Sequence, residues 1–126
     1  MKAERIVNID GVPTKLCASA LTVRLYRFKF GRDMTSDMLK LQKAYSKVAE
    51  AAKSEDETKE AQFNATDLTL FENVAYIMCK QANPDIPDDP DEWLDGMSMF
   101  SIYHILPVVL DVWAANQQTT SVPAKK

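Results

Sequence analysis

Hydrophobic positions change period along this chain, and each change marks an element. Between Arg5 and Leu16 they alternate. Val7, Ile9, Val12 and Leu16 share one side of two extended runs that flank Asp10-Gly11, a dipeptide suited to both positive-φ positions of a type I′ turn. The pattern predicts a β-hairpin over 5–16 in which Ile9 faces Val12, Val7 faces Thr14 and Arg5 faces Leu16. Pro13 then lies opposite Asn8 at a pair that exchanges no hydrogen bonds, where its missing N–H does no harm. A lone hairpin is marginal in water, so its apolar face must be covered by helices or by another chain.

From Ser19 onward the period is helical. A short helix over 19–30 would bury Leu21, Leu25 and Phe28, with Arg24 and Arg27 pointing away and Gly31 ending it. Asp33 is placed to cap a second helix, from Met34 to about Ala52, whose stripe is Met34, Met38, Leu41, Tyr45 and Val48. A core stripe explains those methionines more simply than an adaptable binding face. Lys53 to Asn64 is a break: its charged run Ser54-Glu-Asp-Glu-Thr-Lys-Glu60 has no apolar period and reads as a solvated linker or frayed helix end. Thr66 or Asp67 would cap a third helix, Leu68 to Ala82, with Leu68, Phe71, Val74, Ala75, Met78 and Ala82 inward and Asn83-Pro84 as its stop. Asp89, Pro90 and Glu92 form a start signal for a short helix that carries Trp93 and Leu94 and ends at Gly96. Ser98 would cap the last helix, apolar on more than one face and kinked near Tyr103–His104 by Pro107. Trp93 and Trp113 are expected to bury against the Leu68–Met78 stripe. The whole is mainly α (α+β): an N-terminal β-hairpin and a bundle of about four to five helices in one domain over 1–115, with 116–126 a flexible polar tail.

Composition adds little to this until charge is followed along the chain. At 126 residues with 46% hydrophobic and 26% charged residues, the sequence is ordinary for a soluble domain. The net charge of −3 is uneven: residues 1–47 hold ten Lys/Arg and four Asp/Glu, a balance of +6, and residues 48–126 hold five against fourteen, a balance of −9. Arg24, Arg27 and Arg32 in the basic part, and Asp88 and Asp91 in the acidic part, are candidates for pairing, either within one molecule or head to tail between copies.

Candidate chemistry is sparse. The Met-Lys-Ala-Glu start has no apolar signal segment, and the run Ile105–Leu110 is too short to span a membrane. Cys17 and Cys79 lack CxxC spacing and read as reduced, small apolar residues. The single histidine, His104, lies among Ile102, Tyr103, Ile105 and Leu106 and is expected to be packed and hydrogen-bonded. The acids of Asp85–Pro90 lack the alternation, central glycine and bidentate Glu of a calcium loop. No nucleotide, zinc-protease or nucleophile-elbow motif occurs. These absences predict no catalytic residues, no metal and no cofactor.

Five segments carry a family resemblance: Asn8-Ile-Asp-Gly11, Tyr26-Arg-Phe-Lys-Phe-Gly-Arg-Asp33, Glu92-Trp-Leu-Asp95, Met99-Phe-Ser-Ile-Tyr103 and Asp111-Val-Trp-Ala-Ala-Asn-Gln-Gln-Thr-Thr120. Together they resemble the phage tail assembly chaperones of tailed phages and prophages of Gram-positive bacteria. The resemblance spans nearly the whole chain in order and is weakest around Ser54–Glu60. It implies a non-enzymatic protein of the bacterial host cytoplasm, absent from the mature virion. Such a protein binds the tape measure protein, keeps it soluble, and leaves as tail tube protein polymerises. It also implies a longer form made by ribosomal frameshifting. The charge polarity, with the need to coat a long partner, predicts a homo-oligomer. The apolar hairpin residues Val7, Ile9, Val12 and Leu16 are the candidate partner surface. The alternative is a small regulatory or nucleic-acid-associated phage protein using the Arg24–Arg32 basic face, although an acidic chain without a recognition helix speaks against nucleic acid.

Overall fold

The computed structural model describes residues 2–53 and 63–117. Its N-terminal strands, β1 (Ala3–Ile9) and β2 (Val12–Ala18), form an antiparallel hairpin in the register that Asp10-Gly11 dictates, with Ile9 opposite Val12, Asn8 opposite Pro13 and Arg5 opposite Leu16. Asp10 and Gly11 have φ of 55° and 80°. Both lie in the left-handed region a type I′ turn requires, open to glycine and tolerated by aspartate.

Five α-helices follow among the described residues: α1 (Ala20–Phe30), α2 (Met34–Lys53), α3 (Ala65–Ala82), α4 (Pro90–Asp95) and α5 (Leu106–Gln117), the last preceded by a 3-10 turn over Ser101–Ile105. Gly31, at φ 66°, ends α1 and returns its N–H to the Arg27 carbonyl. Asp33 caps α2 through the Thr35 N–H. The cap of α3 is Asn64 rather than Thr66 or Asp67. Asn64 Oδ1 accepts from the Asp67 N–H at 2.8 Å, and Asp67 Oδ2 accepts from the Asn64 N–H at 3.2 Å, so Asp67 is the return partner of a reciprocal box. Asp89 caps α4 as its sequence indicates, with Pro90 in the first turn.

The core is gathered around α3. Leu70, Phe71, Val74, Ala75, Tyr76, Ile77, Met78 and Cys79 are all buried, so this helix is covered on nearly every side rather than along one stripe. The hairpin and α1, α2, α4 and α5 all touch it. The last helix, by contrast, has one buried face, formed by Leu106, Val109, Val112 and Trp113. It also starts later than Ser98. Pro107 has no N–H for the Tyr103 carbonyl, which accepts from Leu106 instead. The chain therefore stays in the tighter i→i+3 form until proline can sit harmlessly in the first turn of an α-helix. The anticipated kink is thus a change of helix type at Ile105–Leu106.

On α1 the buried residues are Thr22 and Tyr26, while Leu21 and Phe28 are exposed. The helix is rotated from the orientation that hydropathy favours, because two inward polar groups have partners. The Thr22 hydroxyl donates to Gln81 Oε1, and the Tyr26 hydroxyl donates to Asp37 Oδ2 at 2.7 Å. The stripe of α2 is as anticipated at Met34, Met38 and Leu41, with Tyr45 and Val48 half-buried, and it includes the buried Asp37. The charged break of 54–62 and residues 118–126 of the tail lie outside the described residues; Asn116 and Gln117, expected in that tail, instead end α5, and Asn116 Nδ2 donates to the Ala18 carbonyl.

Candidate binding surfaces

The hairpin turns most of its anticipated contact face inward. Leu16 and Ile9 are buried and Val7 is half-buried, leaving only Val12 exposed, at 61%. The reason lies in the packing: α3 lies along β2 and α5 along β1, so the apolar face is consumed by the molecule's own core. Val7, Ile9 and Leu16 are therefore not a free docking surface. The apolar side chains the hairpin does offer to solvent are Val12 near its tip and Ile6 on the opposite face, 67% exposed.

The tip is held by Asp10. Its carboxylate accepts the Ser98 N–H at 2.8 Å and the Ser101 hydroxyl at 2.5 Å. The Ser101 and Ser98 hydrogen bonds hold this exposed carboxyl below its ordinary pKa. The two bonds bracket Met99 and Phe100, which stand out into solvent with 80% and 64% of their surface exposed. Hydropathy assigned this pair to a helix. Ser98 reads as a helix cap in the sequence, whereas its bond and that of Ser101 to the distant Asp10 leave no local signal.

The charged candidates divide in two. Arg32 is committed internally: Nε and Nη2 donate to the two oxygens of Asp37 at 2.7 and 2.8 Å, and Tyr26 adds a third bond. Burial alone would raise the Asp37 pKa, but the Arg32 and Tyr26 bonds outweigh it and bring the carboxyl below its usual value. The same burial, with the Asp37 charge, pushes the Tyr26 phenol up. Asp88 is likewise occupied, by Lys80 Nζ at 2.9 Å, while Lys29 donates to its carbonyl oxygen. Arg24, Arg27 and Asp91 remain exposed. The Arg24 and Arg27 guanidiniums lie 4.9 and 6.0 Å from the ring centroid of Phe28, a cation–π arrangement on an exposed aromatic.

His104 is exposed rather than packed, since the 3-10 turn points Ile102 and Ile105 inward in its place. Cys17 and Cys79 are free and buried; burial, with a smaller contribution from Cys17, pushes the Cys79 thiol up to about 12, so it carries no reactive thiolate at neutral pH. No group of three or more His, Cys, Asp or Glu that could hold a metal occurs among the described residues, and no described helix is long and apolar enough to cross a membrane. No protein-family model, curated protein or solved structure matches the chain.

Proposed function

We propose that this protein is a phage tail assembly chaperone that binds a tape measure protein, keeps it soluble in the cytoplasm of the bacterial host, and is displaced as the tail tube assembles. The reading rests on the resemblance of the five segments. The observation that carries it further is the apolar surface the hairpin keeps in solvent: Ile6 on its outer face and Val12 near its tip stand exposed on a two-stranded element docked to the core by its other residues. Exposed apolar side chains on a fixed scaffold suit the shielding of an apolar partner. Tail tube protein and a frameshifted longer form would act at the later, displacement step. The protein would not remain in the finished virion.

Co-expression with a tape measure protein tests this. The full chain should move the partner from the pellet to the soluble fraction. A double substitution, Ile6→Glu with Val12→Glu, should abolish that effect with the helical circular dichroism unchanged, because neither residue belongs to the core. Retained solubilisation by the double variant would remove the hairpin as the contact. A tape measure protein that stays insoluble with the native chain, together with a salt-dependent shift of DNA, would favour the basic-face alternative.

A further inference from the structure

Two of the exposed apolar features among the described residues carry opposite charge. One is an open groove of about 370 Å³ between α1 and the C-terminal half of α3, lined by Leu25, Phe28, Lys29, Tyr76, Ile77 and Lys80. Asp88 also borders it but is bound to Lys80. Phe28, at its edge, is 67% exposed and has Arg24 and Arg27 over its ring. Among the described residues neither arginine has a carboxylate partner, and Ala20–Arg32 contains no acidic residue. The groove is at the small end of what a small-molecule pocket needs, and its aromatic walls favour another aromatic ring.

The other feature is the Met99–Phe100 turn, fixed at both ends by Asp10. It follows a stretch, Asp85 to Asp95, that has six acids and no Lys or Arg. With Asp88 occupied, Asp91, Glu92 and Asp95 remain exposed just before the turn. Met99 and Phe100 do not line the groove of their own molecule.

We propose that the Met99–Phe100 turn of one copy seats in the α1–α3 groove of a second copy, with Asp91, Glu92 and Asp95 facing that copy's Arg24 and Arg27. An apolar knob preceded by exposed acids and an apolar groove with a basic rim, on one chain, are complementary. Burial of Phe100 and Phe28 holds the contact, and charge sets its encounter rate and register. The two surfaces differ, so the contact is heterologous: each copy keeps a knob and a groove for the next, and the assembly closes into a ring or continues as a helix.

Light scattering on the purified full chain tests this with no other protein present, so its outcome is independent of the tape measure reading. The native chain should grow in mass with concentration, and less so at about 1 M salt, where the screening length falls to roughly 3 Å. Phe100→Glu and Phe28→Glu should each weaken association by roughly thirtyfold or more. Mixed, the two variants should form a one-to-one dimer and nothing larger, since together they retain one intact knob and one intact groove. Should either variant lose helical circular dichroism, Phe100→Ser and Phe28→Ser serve in its place. A native chain that stays monomeric, a variant that assembles as the native chain does, or a mixture that stays monomeric would each overturn the proposal.

Discussion

Asp37 occupies a position where hydropathy alone would place an apolar side chain. It falls on the stripe of Met34, Met38 and Leu41, and its side chain is 2% exposed. A buried carboxylate is tolerable only with partners, which Arg32 and Tyr26 supply from the end of α1. Helical spacing made its position legible, but the partners were not, because residues that meet in space left no periodic trace. Asp37→Ala should lower stability by about 2 kcal/mol, a value moderated because Arg32 is 44% exposed and can rehydrate, and should lower the melting temperature by roughly 8 °C. The pH dependence has a definite sign. The folded pKa lies below the unfolded one, so the stabilisation is complete above the ordinary carboxylate range near pH 4 and fades as pH falls through the lower, folded value. Thermal melts of native and Asp37→Ala protein should therefore converge as pH falls below about 4; a constant difference would show that the carboxylate is not the source.

Among the elements, the hairpin was the most legible and α1 the least. Asp10-Gly11 fixes a register, and register fixes every cross-strand pair, so seven pairs follow from one dipeptide. The face of α1 depends on which polar side chains find partners, and Thr22 and Tyr26 outcompete Leu21 and Phe28 only because Gln81 and Asp37 await them. The Leu21–Phe28 stripe that hydropathy points inward faces solvent. Both tryptophans belong to the core that contains the α3 stripe. Trp93 meets Tyr76 of α3 edge-on, at 5.5 Å between centroids. Trp113 is also buried, but it lines a cavity at the β2–α1 corner with Ala18, Ala20 and Val23. Trp113→Ala should cost about 3–5 kcal/mol, read as the free energy of chemical unfolding. A loss below about 1 kcal/mol would mean that the corner closes over the gap.

Across the whole molecule, the hairpin joins parts that are far apart in sequence. It lies against α3 and α5, and Arg5 Nε reaches Asp111 Oδ2 at 3.1 Å across 106 positions. That exposed ion pair adds little stability by itself, but it marks where the first strand and the last helix meet. During synthesis this separation becomes a delay. Ribosomes add roughly 5–20 residues per second, so α5 follows β1 by about 5–20 s over those 106 positions. Throughout that interval the hairpin lacks the part of its cover that α5 supplies. A chain stopped at Ile105 should remain in that state, binding a hydrophobic dye strongly and melting without a cooperative transition. Adding α5 back as a separate peptide should quench the dye as the hairpin regains its cover.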